Sequence, residues 1–258
     1  EILDFSDFKK LNEFILYCQQ GSNTTLDLTI TPVYPVAPDD PVAPGNSVAP
    51  GVKYLTSVSL KYINKINKLN INCIDLNISD CDDIIEIDGD IKELSLISSG
   101  LVNLNKLSEH INKLIIDDCV VNDTTFNEHI KHIKHIKLND VNFTKEYKFE
   151  INNFPNLEYL SIVGGNIYCD ILEILEYMKK KSTDPSKNFT IELNVNPDIQ
   201  YYTDYITNEN RDRDKIKKLE FKSDNIHFYI VGENKFADAI FDDINKNDKI
   251  DIFKDKFD

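Results

Sequence analysis

The sequence lacks the features on which many functional assignments depend. Its 258 residues contain no tryptophan and one methionine. No apolar run reaches the roughly 18 residues that a membrane-spanning helix needs. A P-loop, a GxSxG motif, an HExxH motif and a dinucleotide-binding fingerprint are all absent from it. We therefore expect no membrane insertion, no cofactor and no enzymatic activity.

Positive charge is also scarce. Lys and Arg number 29 against 44 Asp and Glu, which gives a formal net charge of -15. Phosphate backbones repel a protein with this charge, so nucleic acid is a poor candidate partner. The sign of the charge favours a protein partner with a basic surface.

Cysteines are few, and their spacing indicates free thiols. The five residues include no CxxC pair; they are Cys18, Cys73, Cys81, Cys119 and Cys169. An odd, widely spaced set argues against a disulfide framework. Buried thiols of this kind favour a reducing compartment such as the cytoplasm, and five Asn-x-Ser/Thr sites leave secretion open.

What the sequence does contain is an internal repeat. Apolar residues hold positions 1, 4, 6 and 11 of a frame, and a small residue, most often polar, holds position 9. Five such frames begin at Ile71, Ile91, Ile111, Ile133 and Leu157; the first three starts are evenly spaced, and the later spacings are slightly longer. Weaker frames begin at 23, 186 and 216. Between Val52 and Leu69 two registers compete: Leu55 with Ser57, or Val58 with Leu60.

The frame has a simple physical interpretation. Apolar positions 4 and 6 alternate with polar ones, as in a short strand that buries one face. A side chain at position 9 can hydrogen-bond the backbone groups of the turn that follows the strand. One unit cannot bury its own apolar edge, so stacked units must share a continuous core.

The pattern LxxLxLxx(N/C)xL resembles the leucine-rich repeat, with Cys119 and Asn194 at its signature position 9. The resemblance covers residues 23–226, with other residues at position 9 in most frames. It implies an α/β solenoid: a curved parallel sheet on the concave side, and short helices and turns on the convex side.

The remaining segments complete the expected organisation. An amphipathic helix over residues 4–20 predicts an N-terminal cap at 1–22. Residues 227–258 are expected to form the C-terminal cap, with Ile226–Val231 as the closing strand. Residues 33–51 repeat Val-Ala-Pro three times and form a low-complexity insertion.

Two further segments carry specific expectations. The segment Cys169–Lys181 has apolar residues on one face and lysines at its end, which predicts a convex-side helix. His129, His132 and His135 have a spacing that could suggest a metal site, but the repeat frame places them on different segments, so no metal is expected.

The concave sheet is the candidate binding surface. Ile97 and Ile115 are apolar on a face that water should cover, and Tyr159 suits an interface anchor. The candidate partner-binding residues are Asp75, Asn77, Ile97, Ile115, Asp117, Asp118, His135, Lys137, Asn139, Asp140 and Tyr159. They predict a non-enzymatic protein-interaction module. The alternatives are a structural scaffold, or the recognition part of a larger enzyme or ligase whose catalytic domain lies outside this segment.

Overall fold

Parallel strands account for most of the secondary structure. A computed structural model describes residues 13–18, 25–30, 55–102, 110–121, 131–184, 188–194, 226–231, 238–239, 242 and 251–255. The first strands are β1 Glu13–Tyr17, β2 Thr25–Ile30, β3 Leu55–Lys61, β4 Lys65–Ile71, β5 Cys73–Ser79, β6 Asp83–Ile84, β7 Ile87–Asp88, β8 Ile91–Ile97 and β9 Leu101–Val102. They are followed by β10 Lys113–Asp117, β11 Val120–Val121, β12 His135–Asn139, β13 Asn142–Phe143, β14 Tyr147–Phe149, β15 Tyr159–Val163, β16 Ile167–Cys169, helix α1 Ile171–Lys181, β17 Phe189–Asn194, β18 Ile226–Val231 and β19 Asp251–Asp255.

The strands stack as a solenoid. Ten of them form one parallel sheet, the main sheet, in the order β1-β3-β5-β8-β10-β12-β15-β17-β18-β19. Each strand pairs with the equivalent strand of the next turn, so equivalent side chains form columns across the sheet. The predicted solenoid architecture is confirmed.

The opposite side of the early turns is a second sheet. Its spatial order is β13-β11-β9-β6-β4-β2, with β7 also paired to β4, and a separate pair joins β14 and β16. In the described residues of this region, strands lie where convex helices and turns were expected. Leu26 and Leu28, assigned above to the frame at 23, pair with Ile66 and Leu69 in this second sheet, so their assignment to the main sheet is wrong.

The core lies between the two sheets. Positions 4 and 6 of the central strands are almost fully buried, as at Leu114 and Ile116 (both 0% exposed). The residues between them are half-buried or exposed, except Ser161 in β15, which is buried. We call the solvent side of the main sheet the open face. It carries positions 3, 5 and 7 of each turn.

The register of the first strong frame is wrong by two residues. Leu76 pairs with Leu94, so it holds position 4, and the frame starts at Cys73 rather than Ile71. Ile74, predicted to be buried, is 46% exposed. Val58 pairs in turn with Leu76, which settles the open choice between Val52 and Leu69 in favour of Val58 with Leu60.

A similar shift affects the late frames. Asn194 pairs with Val163 and so holds position 7 on the open face, not the signature position 9. The next strand of the main sheet is β18, which pairs with β17 and begins at Ile226. Most of the frame predicted from 216 lies outside the described residues, as does the insertion at 33–51.

Both ends of the sheet differ from expectation. Glu13–Tyr17 is strand β1, paired with β3, so the predicted helix is wrong for these residues; residues 1–12 lie outside the described part. Burial alternates along β1 because Phe14 and Leu16 pack against the core. Ile226–Val231 is a strand as predicted, but it does not close the sheet, because β19 pairs with it.

The convex-side helix predicted over Cys169–Lys181 is confirmed for Ile171–Lys181, whereas Cys169 is the last residue of β16. The helix begins at Asp170, whose carboxylate accepts a hydrogen bond from the Glu173 backbone N–H at 3.2 Å. Ile174 and Met178 are buried on its inner face. Three lysines occupy its last turn, where their positive charges interact favourably with the negative end of the helix dipole.

A corner of left-handed backbone follows the main-sheet strands. Position 8 has positive φ in six consecutive turns: Tyr62, Asp80, Ser98, Asp118, Asp140 and Gly164. The backbone N–H at this corner donates to the carbonyl of position 7 in the next turn, as from Asp118 to Asn139 (2.9 Å). These bonds continue the ladder of the main sheet around the corner.

Side chains at position 9 form hydrogen bonds with the backbone of the same corner. The thiols of Cys81 and Cys119 donate to the carbonyls of Ser79 (3.4 Å) and Asp117 (3.2 Å). The hydroxyl of Ser99 donates to the carbonyl of Ile97 at 3.2 Å in the same way. The hydrogen-bonding role predicted for position 9 is confirmed in these three turns.

Candidate binding site on the open face

All eleven candidate residues lie on the open face or at the corner beside it. Position 3 carries Asp75, His135 and Tyr159; position 5 carries Asn77, Ile115 and Lys137; position 7 carries Ile97, Asp117 and Asn139; the corner carries Asp118 and Asp140. The columns follow from strand pairing, because neighbouring parallel strands lie about 4.8 Å apart and point equivalent side chains the same way.

Four of these residues meet at a cavity near the middle of the main sheet. Its volume is about 260 Å³, and it is lined by Lys113, Leu114, Ile115, His135, Ile136, Lys137 and Tyr159. Leu114 and Ile136 have side chains that are fully buried, so they contribute backbone at its base. The other candidates flank this cavity rather than line it.

Lys113 belongs to the cavity although it was not among the candidates. It pairs with His135 across the sheet and therefore holds position 3 of its turn. Its place in the frame starting at Ile111 was sufficient to put it on this face. The sequence signal for it is the alternation of buried and exposed positions in that frame.

Tyr159 forms a fixed wall of the cavity. Its ring meets the His135 ring edge-on, with 6.2 Å between centroids and 61° between planes. Its hydroxyl donates to Glu192 Oε2 at 3.0 Å. Burial raises the pKa of this phenol above its ordinary value of 10.0, with smaller and opposing effects from Ser161 and Glu192. The ring is thus held in place before any ligand arrives.

The basic side chains around the cavity differ in how they are paired. Lys113 Nζ lies 2.8 Å from Glu93 Oε2, and His135 Nε2 lies 3.7 Å from Glu158 Oε2. Glu158 also accepts a hydrogen bond from Lys134, which holds the pKa of its carboxyl below the ordinary 4.5. Lys137 is exposed and forms no ion pair with any acidic residue in the described ranges.

Acidic residues lie to either side of the cavity. On the early strands, Asp75 is partly buried beside Glu93. Desolvation and then the charge of Glu93 raise the pKa of Asp75, and Lys113 lowers it. Along the corner, Asp80, Asp118 and Asp140 are exposed; we call these three residues the acidic rim.

The buried thiols fit a structural role. Burial raises the pKa of Cys73 to about 12 and the pKa of both Cys81 and Cys119 to about 11. Cys169 is fully buried, and its pKa is raised for the same reason. A thiol is nucleophilic only as the thiolate, so these four remain protonated and unreactive at neutral pH.

The described ranges contain neither a cluster of metal-ligating side chains nor a membrane-spanning helix. No group of three or more His, Cys, Asp or Glu side chains comes together there as it would around a metal ion; His129 lies outside these ranges. None of the helices in this part of the chain has the length and apolar character to cross a membrane.

A second cavity of about 230 Å³ lies at the end of α1, lined by residues that include Tyr177, Lys180 and Lys181. Lys181 already donates to the carbonyl of Pro155 at 2.8 Å, and Tyr177 donates to that of Phe154 at 2.6 Å. These bonds hold the helix against the preceding turn. The open-face cavity is the better candidate, because the side chain of Lys137 forms no ion pair within the described residues and Ile115 offers a half-buried apolar contact beside it.

Comparison of the chain with models of protein families, with curated proteins and with solved structures finds no match.

Proposed function

We propose that the chain is a divergent leucine-rich-repeat solenoid. Support comes from the frame itself, which recurs in register through the central turns. Further support comes from Cys81, Ser99 and Cys119, which occupy position 9 and bond the corner backbone. In the described residues, strands of the second sheet lie in place of convex helices from β2 to β13, and helix α1 follows β16.

We further propose that the solenoid is a non-enzymatic module that binds a segment of a partner protein across the open face. The observation that carries this proposal is the cavity, because it joins the half-buried Ile115 to a fixed aromatic wall at Tyr159. Apolar and aromatic groups clustered at the centre of a surface, with charges around them, are typical of binding hot spots.

The flanking charges favour a partner segment that is basic overall. The acidic rim and Asp75 surround the cavity on two sides. The net charge of -15 acts over a longer distance and favours the approach of a positively charged segment. Complementary charge of this kind mainly raises the association rate and the specificity.

Selection from a phage-displayed library of random peptides on the purified chain tests this function. Peptides that enrich should bind at least about tenfold more weakly to Ile115→Lys, since the change removes an apolar contact and adds charge. The matched control is Val120→Lys, because Val120 is also an exposed apolar residue (42%) but lies in the second sheet. It should leave binding unchanged. The proposal is overturned if no peptide enriches, or if both variants behave alike.

A further inference from the structure

The basic side chains of the cavity point to a more specific ligand than the net charge suggests. Every ionisable side chain that lines it is basic or phenolic: Lys113, His135, Lys137 and Tyr159. The lining therefore contains no carboxylate, in a chain with a net charge of -15. The neighbouring acids Glu93, Glu158 and Glu192 each already bond a basic or phenolic group.

Lys137 is the group that sets the requirement. It is the position-5 neighbour of Ile115 and lines the same cavity, so an apolar side chain seated on Ile115 also covers part of the Lys137 side chain. Within the described ranges no acidic residue is placed to neutralise its charge. Covering an unpaired cation is costly, whereas a carboxylate placed on it forms a charge-assisted hydrogen bond.

We propose that the cavity recognises an Asp or Glu side chain adjacent to an apolar or aromatic residue within the partner segment. The apolar group packs on Ile115 between Lys113 and Tyr159, and the carboxylate pairs with Lys137. This inference rests on the proposed function, because it names what the same cavity binds. The segment is otherwise basic, so that it satisfies the acidic rim.

The carboxylate belongs to a side chain rather than to a chain end. The main sheet continues on both sides of the cavity, through β8 in one direction and β17 in the other. A segment that lies along this surface can therefore enter and leave it. A cavity that captures a terminus is normally closed on the side where the chain stops, and this one is flanked by further strands.

The minimal test uses three small molecules of similar size and different charge. Binding of 3-phenylpropanoate, its amide and phenethylamine to the full chain is measured by ligand-observed NMR. We expect the carboxylate to bind about tenfold more tightly than the amide and the amine to bind least. Lys137→Met should remove the preference for the carboxylate. Lys145→Met is the matched control, because Lys145 is exposed between β13 and β14, away from the open face.

The display-selected peptides provide the second arm, synthesised with both ends blocked. Replacing their Asp or Glu by Asn or Gln should weaken binding about tenfold to the wild-type chain and not to Lys137→Met. Peptides that depend on Ile115 but on no carboxylate would overturn this inference and leave the proposed function standing. Peptides that bind only with a free C-terminus would overturn the side-chain assignment. Equal binding of the three small molecules would refute the charge preference.

Discussion

The early and late turns of the solenoid form the same main sheet but differ on the opposite side, which we call the back. From β3 to β8 the turns are short and equal in length, because Leu55 pairs with Cys73, and Cys73 with Ile91. Later turns are longer: His135 pairs with Tyr159, and Tyr159 with Thr190. The early back is a second parallel sheet, whereas helix α1 forms part of the late back.

The difference shows which part of a turn is constrained. Hydrogen bonds fix the strand spacing of the main sheet, so its residues must keep their register. Extra residues enter on the other side, where a longer connection costs little free energy. The open face can therefore remain regular through the cavity while the back changes.

The largest effect is expected from Leu114→Asp at the boundary between the two regions. Leu114 is fully buried in β10, and an unpaired carboxylate there should lower the free energy of unfolding by roughly 4 kcal/mol or more. Urea unfolding followed by circular dichroism measures the loss. Ile115→Lys, one residue along on the open face, is the control and should fold. Wild-type stability of the Leu114 variant would refute the register.

A smaller loss should follow Gly165→Ala in the late corner. A Cβ at this residue would lie 2.0 Å from the Val141 carbonyl oxygen, and φ is +71°. We expect a loss of about 2 kcal/mol by thermal unfolding.

Gly164→Ala is the comparison for that change, because its added Cβ would first meet the Asp140 side chain, which can rotate away. It should cost about half as much. The early turns have Ile63 and Cys81 at this position, so at position 9 the sensitivity is specific to the turn of Gly165. Equal losses in the two alanine variants would show that φ alone, and not the carbonyl contact, sets the cost.

In the early corner a gain is expected instead. Tyr62 has φ of +58°, a conformation that a bulky side chain adopts at a cost and that asparagine tolerates. Tyr62→Asn should raise the free energy of unfolding by about 1 kcal/mol. Asp140→Asn, at the same corner position in a later turn, should change it little. A loss of stability in Tyr62→Asn would mean that contacts of the ring outweigh the backbone strain.

The smallest effect concerns the acidic early end of the open face. Burial and Glu93 raise the pKa of Asp75 above its ordinary 3.8. As pH falls, the Asp75 carboxylate is therefore protonated in the folded chain at a higher pH than in the unfolded chain. The carboxylate therefore weakens the fold as pH rises through the raised pKa, and the penalty is absent below about 3.8. Asp75→Asn should raise Tm at neutral pH, with a difference that shrinks on acidification.

Glu93→Gln provides the matched background for the Asp75 measurement. It removes the neighbouring charge that raises the pKa of Asp75, so the advantage of Asp75→Asn should be smaller in it. An advantage that grows as pH falls would reverse the assigned direction of the shift.

The sequence predicted the central turns well because their frames admit one register. The frames at Ile111, Ile133 and Leu157 each place apolar residues at positions that the structure buries. Between Ile71 and Ile78 apolar residues are so dense that a shift of two residues preserves the alternation of faces. Ile71 is indeed buried, but as the last residue of β4 in the second sheet.

Cys81 held the information that would have resolved this register. Placing it at position 9, as Cys119 is placed, gives a start at 73. The main-sheet strand Glu13–Tyr17 was harder to predict, because a short apolar run fits either a helix or a strand. The cavity could not be foreseen as a shape, since it depends on how the side chains of three neighbouring strands fill the surface.

The turn-by-turn stacking also determines how the molecule would respond to mechanical force. A turn pulled from one end of the solenoid loses the hydrogen bonds and core contacts to its one neighbour, so extension should proceed in steps. The short turn from Leu55 to Cys73 would release about 6 nm of contour length, and the longer turn from His135 to Tyr159 about 8 nm. The turns differ in length on the side opposite the open face, so the steps in contour length would be unequal. The order of the step lengths would show the order in which the turns detach.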